Sequence, residues 1–565
     1  MKNILLYILV VSSLLLAACT ERDQKSEIKK EDKPLSPFIS GLEIVHYPVR
    51  TNNPEAQKFF DQGLALTYGF NHAEAHRSFL ECARLDPRCA MCYWGEAFAL
   101  GPNINAPMFG DNVPKAWEAL QKALQYSENG GEKEKDLISA LSKRYGETPP
   151  PDRSHLDAAF ADAMRELAKK YPDDVFILTL TAESLMDLHP WDYYTKDGQL
   201  KEWTPEILDT LQAALKLDGK HPQANHLYIH AVEASNTPEL GLASANNLRG
   251  IVPGAGHLVH MPSHTYIRTA HYADALTVNE LATQSDESYF EQLRAQGFDI
   301  VDPLYRHMYY PHNYHYQMFA ASMMGNKEKA VKAADNTRKA MLTETGAELM
   351  KQPGWSTLQH FYSMPVFARI RFGVWDEIIA EQFPEKDLLY PRAVLHYGRG
   401  LAFASRGDIE KANAELKSLK EILADEDLDK MAIWDLNRGP TLIRIAEEVL
   451  SGEIAAAKGD YETAIFSLLA AMEIEEALIF DEPPSWTSPS RQRLGAILLA
   501  AGKPVEAETV YRRELKRFAD NGWSLMGLQL SLEAQGRHEE AKNVQAKFKE
   551  AWKNADIQIN ASVIK

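Results

Sequence analysis

Cysteine is scarce in this chain: four residues in 565. With Cys19 set aside, three remain, enough for one disulfide and a leftover thiol. An excess of positive charge is also missing. Lys and Arg number 61 against 79 Asp and Glu, a formal net charge of -18, and this argues against a nucleic-acid partner because phosphate binding needs a basic face. No second apolar run reaches transmembrane length after the N-terminus, and no alternating strand-like pattern is sustained. The P-loop, the dinucleotide fingerprint, the GxSxG elbow and the HExxH zinc-protease helix are all absent. What is present is the composition of a folded protein, 45% hydrophobic and 25% charged, long enough for several domains or one long solenoid.

The N-terminus reads as an export signal. Met1-Lys2-Asn3 precedes an apolar run from Ile4 to Leu16, and small residues lead into Cys19. The ending Leu16-Ala17-Ala18-Cys19 resembles the bacterial lipobox, which implies lipidation of Cys19. Thr20 rather than Asp follows, which in such lipoproteins implies the outer membrane, facing the periplasm. Residues 20–37 are charged and end in prolines, so they read as a tether. Attachment is then by lipid anchor alone.

Glycine punctuates the rest at regular intervals. Gly373, Gly407, Gly459, Gly502 and Gly536 each sit between two stretches of helical periodicity; the first two are 34 residues apart, as are the last two. The unit beginning at Ala56 places Phe59, Gly63, Ala75, Phe79, Cys82 and Pro87 at positions 4, 8, 20, 24, 27 and 32. Gly400 with Ala412, Gly452 with Ala464 and Gly495 with Ala507 repeat the small-residue pair. The pattern resembles the tetratricopeptide repeat over most of 45–555, which implies an all-α solenoid of helix-turn-helix units. The expected organisation is a signal peptide over 1–18, a lipidated N-terminus and tether over 19–40, N-terminal units over 41–150, central units over 151–385, C-terminal units over 386–555, and a tail over 556–565. Insertions at 101–113 and at 189–203, HPWDYYTKDGQLKEW, interrupt the spacing. Irregular insertions in a solenoid map to loops that fold over one face.

Ten of the 18 histidines fall between His221 and His315. His257, His260 and His264 are spaced three and four apart, which puts them on one face of a single helix. In the tetratricopeptide register, units beginning at Pro222, Gly256, Pro311 and Gln359 place His226, His230, Glu233, His257, His260, His264, His312, His315 and His360 at positions 2, 5, 9 or 12. The resemblance implies that these line a concave groove, with Glu183 at its edge. The phrases GHLVHMPSH and CAMCYWG further resemble a group of bacterial tetratricopeptide proteins without an assigned activity.

Two functions fit such a groove. One is a non-enzymatic scaffold that binds a protein or peptide through histidine and tyrosine contacts. The other is a metal-dependent enzyme, hydrolytic or oxidative, using His226, His230, His257, His260, His264, His312 and His315, with Zn, Cu or Fe held on His226, His230, His260, His264 and His315. Of the cysteines, Cys82 closes one unit while Cys89 and Cys92 open the next, so a disulfide from Cys82 to either would join two units. Tyr93 rather than His follows the CAMC stretch, which removes covalent haem attachment.

Overall fold

The computed structural model describes residues 33–299 and 301–565. The expected signal peptide, Cys19 and most of the tether lie outside the described residues. Helices succeed one another from Pro54–Tyr68 to His538–Ala551, and the sheet among the described residues is a two-stranded hairpin, Ala432–Ile433 with Asn437–Arg438. The fold is an all-α superhelix of antiparallel helix pairs. No helix among the described residues is long and apolar enough to cross a membrane.

The construction rule is visible at both ends of the chain. The Phe79 ring lies between Gly63 of its own unit and Gly95 of the next, and a Cβ on either glycine would overlap it. Tyr511 lies in the same way between Gly495 and Gly527, with the same two spacings of 16 residues. The small residues bring the helix backbones together, and the bulky ring fills the junction between units. Between the two helices of a pair the chain reverses through a left-handed residue. Gly325, Gly373, Gly407, Gly459, Gly502 and Gly536 stand there with φ between 64° and 81°, the conformation a residue without Cβ adopts at least cost. Phe70 and Ala270 occupy the same slot in their own pairs, with φ of 54° and 63°.

The superhelix is closed on itself. Before the first pair, the backbone amide of Ile39 donates to Gln62 Oε1 at 2.8 Å, and the amide of Gly254 donates to the carbonyl of Gly41 at 2.9 Å. At the other end, residues 552–564 pack back on the central units. Asp556 accepts from the amides of Lys327 and Glu328 at 2.6 and 2.8 Å, capping the Lys327–Met341 helix. The indole of Trp523 donates to the carbonyl of Ser322 at 2.8 Å. The stretch 556–565, expected as a tail, is thus docked structure. One apolar core runs from Ile39 to Ala340 and a second from Met318 to Ala541, and further clusters pack the central first helices, among them Ile229, Tyr266 and Phe319 with Trp523.

The single helix expected under the three clustered histidines is corrected to two. His257, His260 and His264 do not ride on one uninterrupted helix: Gly256–His260 ends at Met261, and Pro262–Arg268 begins directly after it. Pro262 has no amide hydrogen to continue the ladder, which is the physical reason for the break.

The packing rule makes a direct prediction. Gly95→Val drives two methyl groups into the Phe79 ring and should destabilise the protein by about 1–3 kcal/mol in thermal or urea unfolding. At Gly110 no atom lies within 4 Å of the position a Cβ would take, so Gly110→Ala should stay within about 0.5 kcal/mol of wild type. Equal effects at the two positions would contradict the interlocking account.

Candidate functional site

The predicted histidines come together, but not on an open groove. His226, His230, His257, His260, His264, His312, His315, His360 and Glu233 are between 0% and 8% exposed. They project from the first helices Pro222–Glu233, Gly256–His260, Pro262–Arg268, Tyr310–Met323 and Thr357–Arg371, the elements the repeat register pointed to. The concave face they line is filled by other parts of the chain. The solvent-facing groove expected from the repeat is therefore replaced by a buried imidazole core. Its rings touch in sequence from His226 to His360, with neighbouring centroids 4.8–6.3 Å apart.

At one end, His226, His230 and His257 each bring a ring nitrogen within 4.8 Å of the others. For His226 and His230, hydrogen bonds on the far edge of the rings determine which nitrogen that is. Gln223 Nε2 lies 3.3 Å from Glu183 Oε2, so its Oε1 faces His226 Nδ1 at 3.1 Å and accepts from it. Glu233 Oε1 accepts from His230 Nδ1 at 2.6 Å. Both rings therefore carry their proton on Nδ1 and an unshared pair on Nε2. The Nε2 atoms of His226, His230 and His257 are all buried and make no hydrogen bond. Glu183, expected at a groove edge, is buried and reaches the site only through Gln223.

The second group is His260, His264 and His312, again with one nitrogen each within 4.8 Å. Asn279 Nδ2 donates to the carbonyl of Ala275 at 2.7 Å, which turns its Oδ1 toward His260 Nδ1, also at 2.7 Å. His264 Nδ1 faces Glu233 Oε2 at 2.6 Å and Glu482 Oε2 at 3.1 Å. His260 Nε2 and His264 Nε2 then oppose each other at 2.8 Å. Glu233 thus accepts from both groups, one carboxylate oxygen to each.

Burial sets the protonation of the core. Desolvation first, and neighbouring imidazoles second, push His226, His230, His257, His260 and His312 well below the ordinary imidazole range. These rings are neutral, the form in which imidazole binds a metal. His264 is the exception. Burial alone would lower it, but the Glu233 and Glu482 carboxylates overcome that and hold it up at about 9.

Aromatic rings enclose both groups, and several sit on unusual backbone. Phe70 lies 4.6 Å from the His226 ring and 5.1 Å from His257. Trp191, from the HPWDYY insertion, lies 5.0 Å from His230, and Tyr309 lies 5.0 Å from His257. Trp434, at the tip of the hairpin, lies 5.5 Å from His312. Tyr316 packs against His260, His264 and His312 and donates to Glu482 at 2.8 Å. Phe70, Trp191 and Trp434 all have positive φ, at 54°, 62° and 52°, although side chains of this bulk rarely adopt it.

The ligand set expected from the sequence is corrected in its grouping. His226 and His230 belong to one group and His260 and His264 to the other. His257 and His312 complete them, and His315 joins neither among the described residues. His360 Nδ1 pairs with the Tyr390 hydroxyl at 2.9 Å. Several supporting residues were not anticipated. Gln223 had a signal, since it lies one turn before His226; Phe70, Asn279 and Glu482 reach the site only through tertiary packing. Cys82 and Cys92 form the disulfide, with Cα atoms 5.5 Å apart, and Cys89 is a free thiol that burial pushes up to about 12.

His315 offers a test of how the core is balanced. Burial pushes its imidazole down to about 3, and both ring nitrogens are buried without a partner. His315→Leu removes two unsatisfied polar atoms and should raise the stability of the metal-free protein by about 1 kcal/mol in urea unfolding under chelation. A loss of that size would show that the ring has a structural partner.

No known family profile matches the chain, nor does any curated protein. Among solved structures it is similar to the human IFIT1 dimer with PPP-AAAA, at 14% identity over 86% of this chain and 88% of that one, TM-score 0.29. It is also similar to the APC/C hetero-tetramer Cut9-Hcn1, at 13% identity over 89% and 74%, TM-score 0.28. The P58(IPK) TPR domain matches at 14% identity over 69% and 92%, TM-score 0.18.

Proposed function

We propose that this protein is a metal-binding helical-repeat protein whose ion is held by the Nε2 atoms of His226, His230 and His257. The observations that carry this reading are that His226, His230 and His257 each bring a ring nitrogen within 4.8 Å of the others and that their Nε2 atoms are buried without hydrogen-bond partners. Leaving a buried polar atom unsatisfied costs about 1–3 kcal/mol, so three together are expensive unless something binds them. Around a tetrahedral ion with bonds of about 2.0–2.1 Å, ligand nitrogens stand roughly 3.4 Å apart. Rings whose nitrogens already lie within 4.8 Å need to close by about an ångström.

The outer hydrogen bonds support the same reading. Metal-binding imidazoles donate their other N–H to a carboxylate or carbonyl, which orients the ring and raises its basicity. Gln223 and Glu233 do this for His226 and His230. Neutral imidazole suits Zn, Cu and Fe, and with no carboxylate oxygen among the three ligands, Ca and Mg are disfavoured. The surrounding Phe70, Trp191 and Tyr309 rings keep water from the ion, which favours tight holding.

The protein-binding scaffold remains as a coarser reading of the repeat architecture. A protein or peptide partner would meet the outer faces of the helices, since the histidines are enclosed. The envelope location expected from residues 1–19 is part of the proposal. Cys19→Ser should move the protein from the membrane to the soluble fraction.

Elemental analysis of the full chain, purified without a metal-binding tag, tests the centre directly. We expect at least one equivalent of Zn, Cu or Fe, lost in His226→Ala and in His257→Ala. Gln223→Leu, which frees His226 Nδ1, should weaken binding about 10–100-fold in a chelator competition. A chain that takes up none of these ions, even after incubation with each, would refute the metal centre.

A further inference from the structure

We propose that a second ion of the same class is bound by His260, His264 and His312, so that the core is a two-ion centre joined by Glu233. This rests on the reading of His226, His230 and His257 as a metal site, but it stands on a separate set of observations.

The first is the close approach of two ring nitrogens. Asn279 Oδ1 requires a proton on His260 Nδ1, and Glu233 with Glu482 requires one on His264 Nδ1. The two Nε2 atoms left over face each other at 2.8 Å. An Nε2–H on His264, which the two carboxylates facing its Nδ1 favour, donates to His260 Nε2 at that distance, and an ion that takes the place of this proton would draw on both nitrogens. The second observation is the third ring. His312 contributes a nitrogen within 4.8 Å of the other two, and its Nδ1 is buried without a partner. A proton would need only the pair; three converging nitrogens fit an ion.

Glu233 connects the two groups. Its Oε1 lies 2.6 Å from His230 Nδ1 and its Oε2 lies 2.6 Å from His264 Nδ1, so one carboxylate orients a ligand of each ion. Glu233 also forms a ligand-spaced group with His230 and His264 themselves. Occupying that group with a metal would strip the Nδ1 protons from both rings and break both short hydrogen bonds. Glu233 is therefore a positioning residue. With both sets made of imidazole alone, the pair suits copper or zinc; mononuclear oxygenase iron draws a carboxylate into its ligand triad.

Titration of the metal-free full chain with Co(II), followed by its visible d–d absorption, separates the alternatives. Wild type should take up two equivalents with intense tetrahedral bands. His226→Ala and His312→Ala should each retain one, with different spectra. His312→Phe, which preserves ring packing against Trp434 and Tyr316, replaces His312→Ala if that variant does not fold. Glu233→Gln should shift both sets of bands and weaken both ions about 10–100-fold, an effect no loss of local packing at one group would produce. Saturation of wild type at one equivalent, lost in His226→Ala and unchanged in His312→Ala or His312→Phe, would overturn the second site and leave the first. No uptake at all would overturn both.

Discussion

A single carboxylate clasped between two imidazoles organises the interior of this protein. Glu233 is 1% exposed and accepts from His230 on its own helix and from His264 on the next pair. A carboxylate buried at that depth is stable only when its oxygens are matched by donors. The match demands that the Pro222–Glu233 and Pro262–Arg268 helices keep a fixed rotation and height. That constraint turns the Nε2 edges of the rings inward, and the two ligand groups follow from it.

The closed superhelix follows from the same requirement. Neutral imidazoles and a carboxylate on an open concave face would be solvated and free to rotate. Here three loops meet them, carrying Trp191, Trp434 and Glu482. The N-terminal segment docks on Gln62 and Gly254, and the C-terminal segment caps the Lys327–Met341 helix through Asp556. The loop at Glu482 brings a second carboxylate to His264 from 249 residues beyond Glu233. Removing water strengthens the hydrogen bonds that Glu233 and Glu482 accept, because the local dielectric falls. The arrangement therefore pins the rings more firmly than a groove would.

Much of the architecture was legible in the sequence because its rules are local. The 16-residue spacing from Gly63 to Phe79 to Gly95 is a packing instruction within two units, and the helices begin within two residues of the positions that the repeat register assigned. The candidate ligands were legible for the same reason. Their burial and their division into two groups were not. Three histidines on one helical face suggest one centre, but the partners Asn279 and Glu233 turn His260 and His264 toward each other and leave His257 with His226 and His230. Those partners lie outside the motif, so no periodicity reports them. Phe70, Trp434 and Glu482 are further from it still.

The backbone strain gives the strongest argument that the core was shaped for binding rather than for stability. The reversal inside a helix pair is made by glycine at Gly325, Gly373, Gly407, Gly459, Gly502 and Gly536. In the first pair the slot holds Phe70, at a conformational cost of about 1–2 kcal/mol, and its ring lies against His226 and His257. Trp191 and Trp434 accept the same left-handed backbone, in unrelated loops, and their rings likewise meet His230 and His312. The hairpin carrying Trp434 has positive φ at both of its central residues, where Asn-Gly would be relaxed. Three independent departures from the locally favoured residue converge on one set of imidazoles. A core selected only for stability would have kept glycine in these turns and leucine in place of the histidines. Ala270 takes this backbone too, but three aromatic residues that do so meet one set of imidazoles, and that supports the proposed metal centre.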